Sequence, residues 1–382
     1  MSIFKKSAFL LALVLFISCK NQTEKTIETP VVQDSKDSII QYAQGLEITQ
    51  FDGYKVINIK NPWPGSNMSF KYALVEKSTT LDNPENYDAV VKIPAERIVV
   101  TSTTHIPSLE MLGEIDALVG FPSLDFISSE ETRKRISKGE IRELGQNENI
   151  NTELAIDLAP DAVIGFAMDG NNPTFTTIHK AGIPVFYNSD WTENTPLGKA
   201  EWIKFFGAFF DKEREADSIF KEIESEYLAA KEIASKANTK PTVISGAMYK
   251  DVWYMPQGDS WAAQFIEDAH GEYLWKDSKG TGSLSLNLES VLEKGYQAEK
   301  WIGPGQFTNF ETLKEASMAY ARFKAFKTKE VYTYNLKKGE TGGSIYFELA
   351  PNRPDLVLKD YIKILHPELI PEHKLYFFDK LK

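Results

Sequence analysis

The stretch from Asp211 to Ala237, DKEREADSIFKEIESEYLAAKEIASKA, contains neither glycine nor proline and is dense in strong helix formers. Asp211 is placed to cap its start, and Glu213 and Glu215 sit in the first turns, where the helix dipole favours them. Ile219, Phe220, Ile223, Tyr227, Leu228 and Ala230 recur at helical spacing and form one apolar face. A helix over this stretch is roughly 40 Å long at 1.5 Å per residue, the span of a whole domain. Strand and helix patterns alternate on either side of it. The stretch therefore reads as a rigid strut between two α/β lobes.

The chain opens with MSIFKKSAFLLALVLFISC. Lys5 and Lys6 precede an apolar run from Ala8 to Ile17 that is short for a bilayer and fits a secretory signal, assigned to residues 1–18. Cys19 is the single cysteine, so no intrachain disulfide can form. FISC resembles the lipobox of bacterial lipoproteins, which implies lipidation at Cys19 and a membrane attachment through that lipid. Residues 19–40 are polar and read as a tether. The net charge of −11 argues against nucleic acid as a partner and permits docking to a basic protein surface.

Residues 41–94 read as a small β prelude. LEITQFDGYKVINIK alternates in strand fashion about the Asp52-Gly53 turn, and Phe70–Val75 follows as a further strand. Residues 95–195 read as the first lobe. Its strands are expected at Arg97–Val100, Leu118–Phe121, Ala162–Phe166 and Pro184–Asn188, and its helices at Thr152–Leu158 and Thr174–Ala181. Connecting helices occupy 196–239, beginning with one over Leu197–Phe210. The second lobe, 240–382, opens with a strand at Thr242–Ile244 and a hairpin to Met255. It continues with helices at Ser260–Ala269 and Glu289–Lys294, strands at Lys300–Ile302 and Ile345–Leu349, and a last helix near Leu356–Leu365. Asn151-Thr152-Glu153 and Asn287-Leu288-Glu289 form a faint repeat, which helix capping alone explains.

The chain has no Walker A sequence, no G-x-S-x-G and no H-E-x-x-H. Gly339–Ser344 is glycine-rich, but it reads as a surface loop ahead of a strand. Five histidines are scattered at no metal-ligand spacing. These features point to binding rather than catalysis.

RIVVTSTTHIPSLEMLGEIDALVGF, LAPDAVIGF, AGIPVFYN, ENTPLGKAEWIKFFGAFF, the strut and VWYMPQGDSWAAQFIEDAHGEYLW, in this order, resemble the substrate-binding lipoproteins and periplasmic proteins of iron-siderophore, haem and cobalamin ABC importers. The likeness runs from about Arg97 to the C-terminus. It implies two Rossmann-like lobes joined by one long helix, no enzymatic activity, no resident cofactor, and a monomer. It also implies one ligand held between the lobes with little closure, then delivered to a permease from the extracytoplasmic face. In the cobalamin-binding relatives one surface glutamate per lobe docks on permease arginines; by motif position these fall on Glu153 and Glu289.

Ligands of α/β lobes sit outside the carboxyl ends of the strands. That rule selects Thr103, Thr104 and His105 after the first strand, Asp190 and Trp191 after PVFYN, and Tyr249, Trp253 and Trp261 on the opening of the second lobe. Tyr346, Glu348 and Arg353 flank the last expected strand. Aromatic walls with an arginine suit a large, flat or metal-chelating ligand carrying carboxylates, such as an iron chelate, haem or corrinoid. A metal-ion receptor of the same superfamily is the alternative. It needs several histidines and carboxylates meeting in the cleft, where His105 is the only histidine placed. An envelope enzyme would need a nucleophile beside a base, and none is evident.

Overall fold

The computed structural model describes residues 39–147 and 149–382; the signal-like segment and Cys19 lie outside the described residues. The strut is an α-helix over Glu213–Ala234, 22 residues and so about 33 Å long. Its function as a strut follows from how its buried face is divided. Ala216, Phe220 and Ile223 belong to one hydrophobic core, and Tyr227, Ala230 and Ala234 to another. Phe220 and Ile223 each contribute about 1.5–3 kcal/mol on burial, and Tyr227 anchors the other end, so both lobes hold the same rod. Two details differ from expectation. Leu228 is 47% exposed, because it falls just outside the buried stripe. Asp211 does not cap the helix; it lies in the left-handed region (φ 58°) and accepts a bond from the buried Lys55 at 2.9 Å.

The first core is built on a parallel sheet ordered Val185–Tyr187, Ala162–Gly165, Ile98–Val100, Leu118–Phe121 and Arg142–Glu143. Its central strands are buried along their length, as a sheet covered on both faces requires. The second lobe carries a sheet ordered Glu272–Tyr273, Thr242–Ser245, Lys300–Ile302, Val331–Thr333 and Asp379–Lys380, with only the last strand antiparallel. A separate antiparallel sheet of Ala247–Tyr249, Val252–Pro256 and Ser283–Leu286 stands at the cleft. The architecture is thus two α/β lobes, one long connecting helix and an N-terminal β sheet.

That N-terminal sheet has four strands, Leu46–Phe51, Tyr54–Lys60, Ser69–Glu76 and Ala89–Ile93. Phe51 pairs with Tyr54 across the Asp52-Gly53 turn, where Gly53 supplies φ 73°. The prelude is tied to the first lobe by the Tyr72 hydroxyl, which accepts the Tyr187 N–H at 3.0 Å. Ahead of it, the Glu201 carboxylate accepts the N–H groups of Gln41, Tyr42 and Ala43 at 2.7–3.1 Å. The helix expected over Leu197–Phe210 is two helices, Pro196–Ala200 and Ile203–Phe209, and the break falls at this Glu201. Ile345–Leu349 is a short helix and not a strand. It follows the glycine-rich loop, which is a lobe–lobe contact: a Cβ on Gly343 would lie 2.3 Å from the Phe126 carbonyl oxygen, and one on Gly339 would lie 2.6 Å from the Ser128 Cα.

Candidate functional site

Strand alternation builds the main wall of the cleft. In Val252–Pro256, Trp253 and Met255 turn inward while Tyr254 turns outward. Tyr254, Tyr249 and Met248 meet Trp261, at the start of the helix Trp261–Asp268, and Tyr334, Tyr346, Tyr361 and Phe378 from the far end of the chain. Together they line a cavity of about 500 Å³ in the second-lobe wall. Its rings are packed in order: Tyr334 stacks on Tyr346 at 4.6 Å and 12°, and Trp261 lies 6.1 Å from Tyr346. None of the lining residues is Asp, Glu, Lys, Arg or His. Burial pushes the Tyr334, Tyr346 and Tyr361 phenols above their ordinary value, so all three stay protonated and offer neutral hydroxyls. The chamber can hold a large ring system by stacking and dispersion, with hydroxyls to orient it.

Two further chambers continue it toward the first lobe. One, about 420 Å³, shares Phe347 with the aromatic chamber and reaches Thr101, Ser102 and Thr103 at the end of the first strand. The other, about 580 Å³, shares Trp261, Thr281 and Gly282 and is closed by Trp191 and the prelude.

The residues expected at the site fall into three groups. Tyr249, Trp261 and Tyr346 line the aromatic chamber, Thr103 the smaller first-lobe chamber, and Trp191 the prelude chamber. Thr104 instead supports the lobe contact: its carbonyl accepts the Asn352 amide at 2.8 Å. Glu348 likewise holds the lobe contact through Ser128 and Ser129, Asp190 is buried and lines none of the three chambers, and three more are corrections. Trp253 is 0% exposed, stacked on Trp301 at 5.4 Å with its indole N–H donating to the Ser245 carbonyl at 2.9 Å, so it is core. His105 is 0% exposed, packs against Phe206 at 5.3 Å and lines none of the three chambers. Burial pushes it down to about 4, against a smaller opposing pull from Asp190, so it is neutral at physiological pH. Arg353 forks onto Asp355 at 2.8 and 2.9 Å at the start of the helix Pro354–Leu365 and lines none of the three chambers.

Glu153 and Glu289 are exposed and occupy the same place in two helices, Thr152–Asp157 and Leu288–Gly295. Asn151 and Asn287 cap these helices, accepting the Leu154 and Ser290 N–H groups at 3.0 and 2.8 Å. Sequence reasoning missed Tyr254, Tyr334, Tyr361 and Phe378. For Tyr254 the signal was present, since it alternates with Trp253 along one strand. For the other three no local pattern existed.

The profile of the family described as periplasmic binding protein matches residues 98–337, and the chain belongs to that family. Over 95% of its length it is 26% identical to an uncharacterized lipoprotein of Methanocaldococcus jannaschii, covering 90% of that relative. Solved structures of the same fold include a possible iron-binding periplasmic solute-binding protein of Staphylococcus epidermidis, 17% identical with a TM-score of 0.54, covering 71% of this chain and 98% of that one. A periplasmic haem-binding protein of Vibrio cholerae is 16% identical with a TM-score of 0.53, covering 69% and 99%. A protein of an Fe3+-hydroxamate transport system from Saccharomonospora viridis is 16% identical with a TM-score of 0.53, covering 71% and 93%.

Proposed function

We propose that this protein is a lipid-anchored solute receptor of the extracytoplasmic face that captures a large iron chelate, haem or corrinoid in the cleft and hands it to an ABC importer permease. The observation that carries this reading is the uncharged, ring-lined chamber at the cleft, which matches a ligand with extended π or apolar surface. Family membership supports the binding role over catalysis. The lipobox-like FISC and a lipoprotein relative support the anchor, and no described helix is long and apolar enough to cross a membrane. The paired Glu153 and Glu289 supply one acidic anchor per lobe for a permease. Among the described residues no group of three or more His, Cys, Asp or Glu could hold a bare metal ion, which favours a chelate over the metal itself. Mass spectrometry of small molecules retained by the native protein is the direct test. A retained chelate or tetrapyrrole supports the reading, and stoichiometric bare divalent metal with no organic ligand overturns it.

A further inference from the structure

The family match begins at residue 98, beyond the last prelude strand Ala89–Ile93. Yet the prelude does more than cover the first lobe. Its loop 60–67 forms one side of the 580 Å³ chamber, whose other sides are Trp191 and Asn194 from the first lobe, Lys199 from the connecting helix Pro196–Ala200 and Trp261 from the second lobe. That chamber and the aromatic one are neighbours, since Trp261, Thr281 and Gly282 line both.

Their chemistries differ. The aromatic chamber has no charged lining residue, whereas the prelude chamber has Lys60, Glu193 and Lys199. Two of these are committed elsewhere. Lys60 pairs with Glu47, and the Glu193 carboxylate accepts the N–H groups of Gln44, Gly45 and the Trp202 indole at 2.9–3.1 Å. Lys199 differs. Its buried ammonium donates to the Asp190 and Trp191 carbonyls, both at 3.0 Å, and stands 5.3 Å from the centre of the Trp261 ring. An ammonium has three donors, so one remains. The Trp191 indole N–H is buried and has no partner, and Trp191 lines the same chamber. Burial pushes Lys199 down to about 8, against smaller opposing pulls from the Asp190 and Glu193 carboxylates.

We propose that the prelude loop is a wall of the ligand site. The ligand spans Trp261, with an uncharged ring-rich body in the aromatic chamber and a carboxylate-bearing arm in the prelude chamber, received by Lys199 and Trp191. This rests on the reading of the chain as a solute receptor. It replaces Arg353, which Asp355 holds, with Lys199 as the cation that meets the ligand's acid.

Calorimetric titration of the full-length protein tests it with three probes. Haemin has a ring body and carboxylate arms, cobalamin has a ring body with amide arms, and ferric desferrioxamine has no aromatic ring. The variants are Asn67→Trp and Asn194→Trp, which narrow the prelude chamber from opposite sides, and Lys199→Met, with melting temperatures taken to confirm folding. The Asn67 and Asn194 side chains form none of the hydrogen bonds that hold this region together, so their replacement leaves that network intact. The expected result is that wild type prefers haemin. Each tryptophan variant then weakens haemin at least about tenfold, and Lys199→Met erases the preference for haemin over cobalamin. Unchanged haemin affinity in both folded tryptophan variants overturns the prelude wall and leaves the receptor reading intact. A preference for cobalamin or ferric desferrioxamine in wild type overturns the carboxylate arm. Binding of none of the three overturns this inference and the receptor reading together.

Discussion

The carboxylate of Glu348, on the second lobe, accepts the backbone N–H of Ser128, on the first, at 2.6 Å, and its other oxygen accepts the Ser129 N–H at 2.9 Å. Asn352 adds a second link, accepting the Ser108 hydroxyl at 2.7 Å and donating to the Thr104 carbonyl at 2.8 Å. The lobes are therefore joined on the side of the glycine-rich loop as well as through the long helix.

That clasp should respond to pH. Burial pushes the Glu348 carboxyl up to about 7, with Glu110 adding to the rise, against the Ser128 and Ser129 groups that favour the charged form. Arg133, Lys134, Lys338 and Glu340 line the same recess. The native pKa lies above that of the unfolded chain. The stabilising contribution is therefore complete below the ordinary carboxylate range and is lost as pH rises through about 7. Melting temperatures measured from about pH 5 to pH 8 should show this fall in wild type and a flatter profile in Glu348→Gln. Parallel profiles for the two proteins would refute it.

Trp253 and Trp261 should separate stability from binding. Trp253→Ala opens a void against Trp301, Tyr320 and Phe323 and should cost about 3–5 kcal/mol in denaturant unfolding. Trp261→Ala, at the cleft, should change stability far less and weaken the retained ligand roughly ten- to thirtyfold. Equal loss of stability in both would mean that Trp261 is also core.

Glu153→Ala with Glu289→Ala should reduce ligand uptake by cells while the affinity in solution is unchanged. The caps at Asn151 and Asn287 remain, so unfolding free energy should move by no more than about 0.5 kcal/mol for each exposed site. Intact uptake would remove the docking role.

Cys19, outside the described residues, should incorporate labelled palmitate in cells, and Cys19→Ala should abolish it. Equal labelling of the two proteins would count against the lipid anchor.

The long helix, the parallel strands and the Asp52-Gly53 hairpin were legible because each is specified by local pattern and by residues close in sequence. The aromatic chamber was not. Tyr254, Tyr334, Tyr361 and Phe378 are spread over more than a hundred residues of chain, and only the fold brings them together. IYFEL reads as a strand because its residues favour one, but five residues are too few for periodicity to decide, and it forms a helix beside the first lobe. Arg353 looked free because its partner, Asp355, lies two residues away and needs a helix start to reach it.

A body fastened at two places, by a shared rod and by Glu348 with Asn352, has little freedom to advertise its contents through its silhouette. Under the proposed function, a permease that must tell a loaded receptor from an empty one is left with other cues, such as the rim of the ligand beside Tyr249 and Phe347, both exposed and lining the aromatic chamber. On that same reading, unloading calls for force applied from outside, to part lobes that the rod and the clasp both hold.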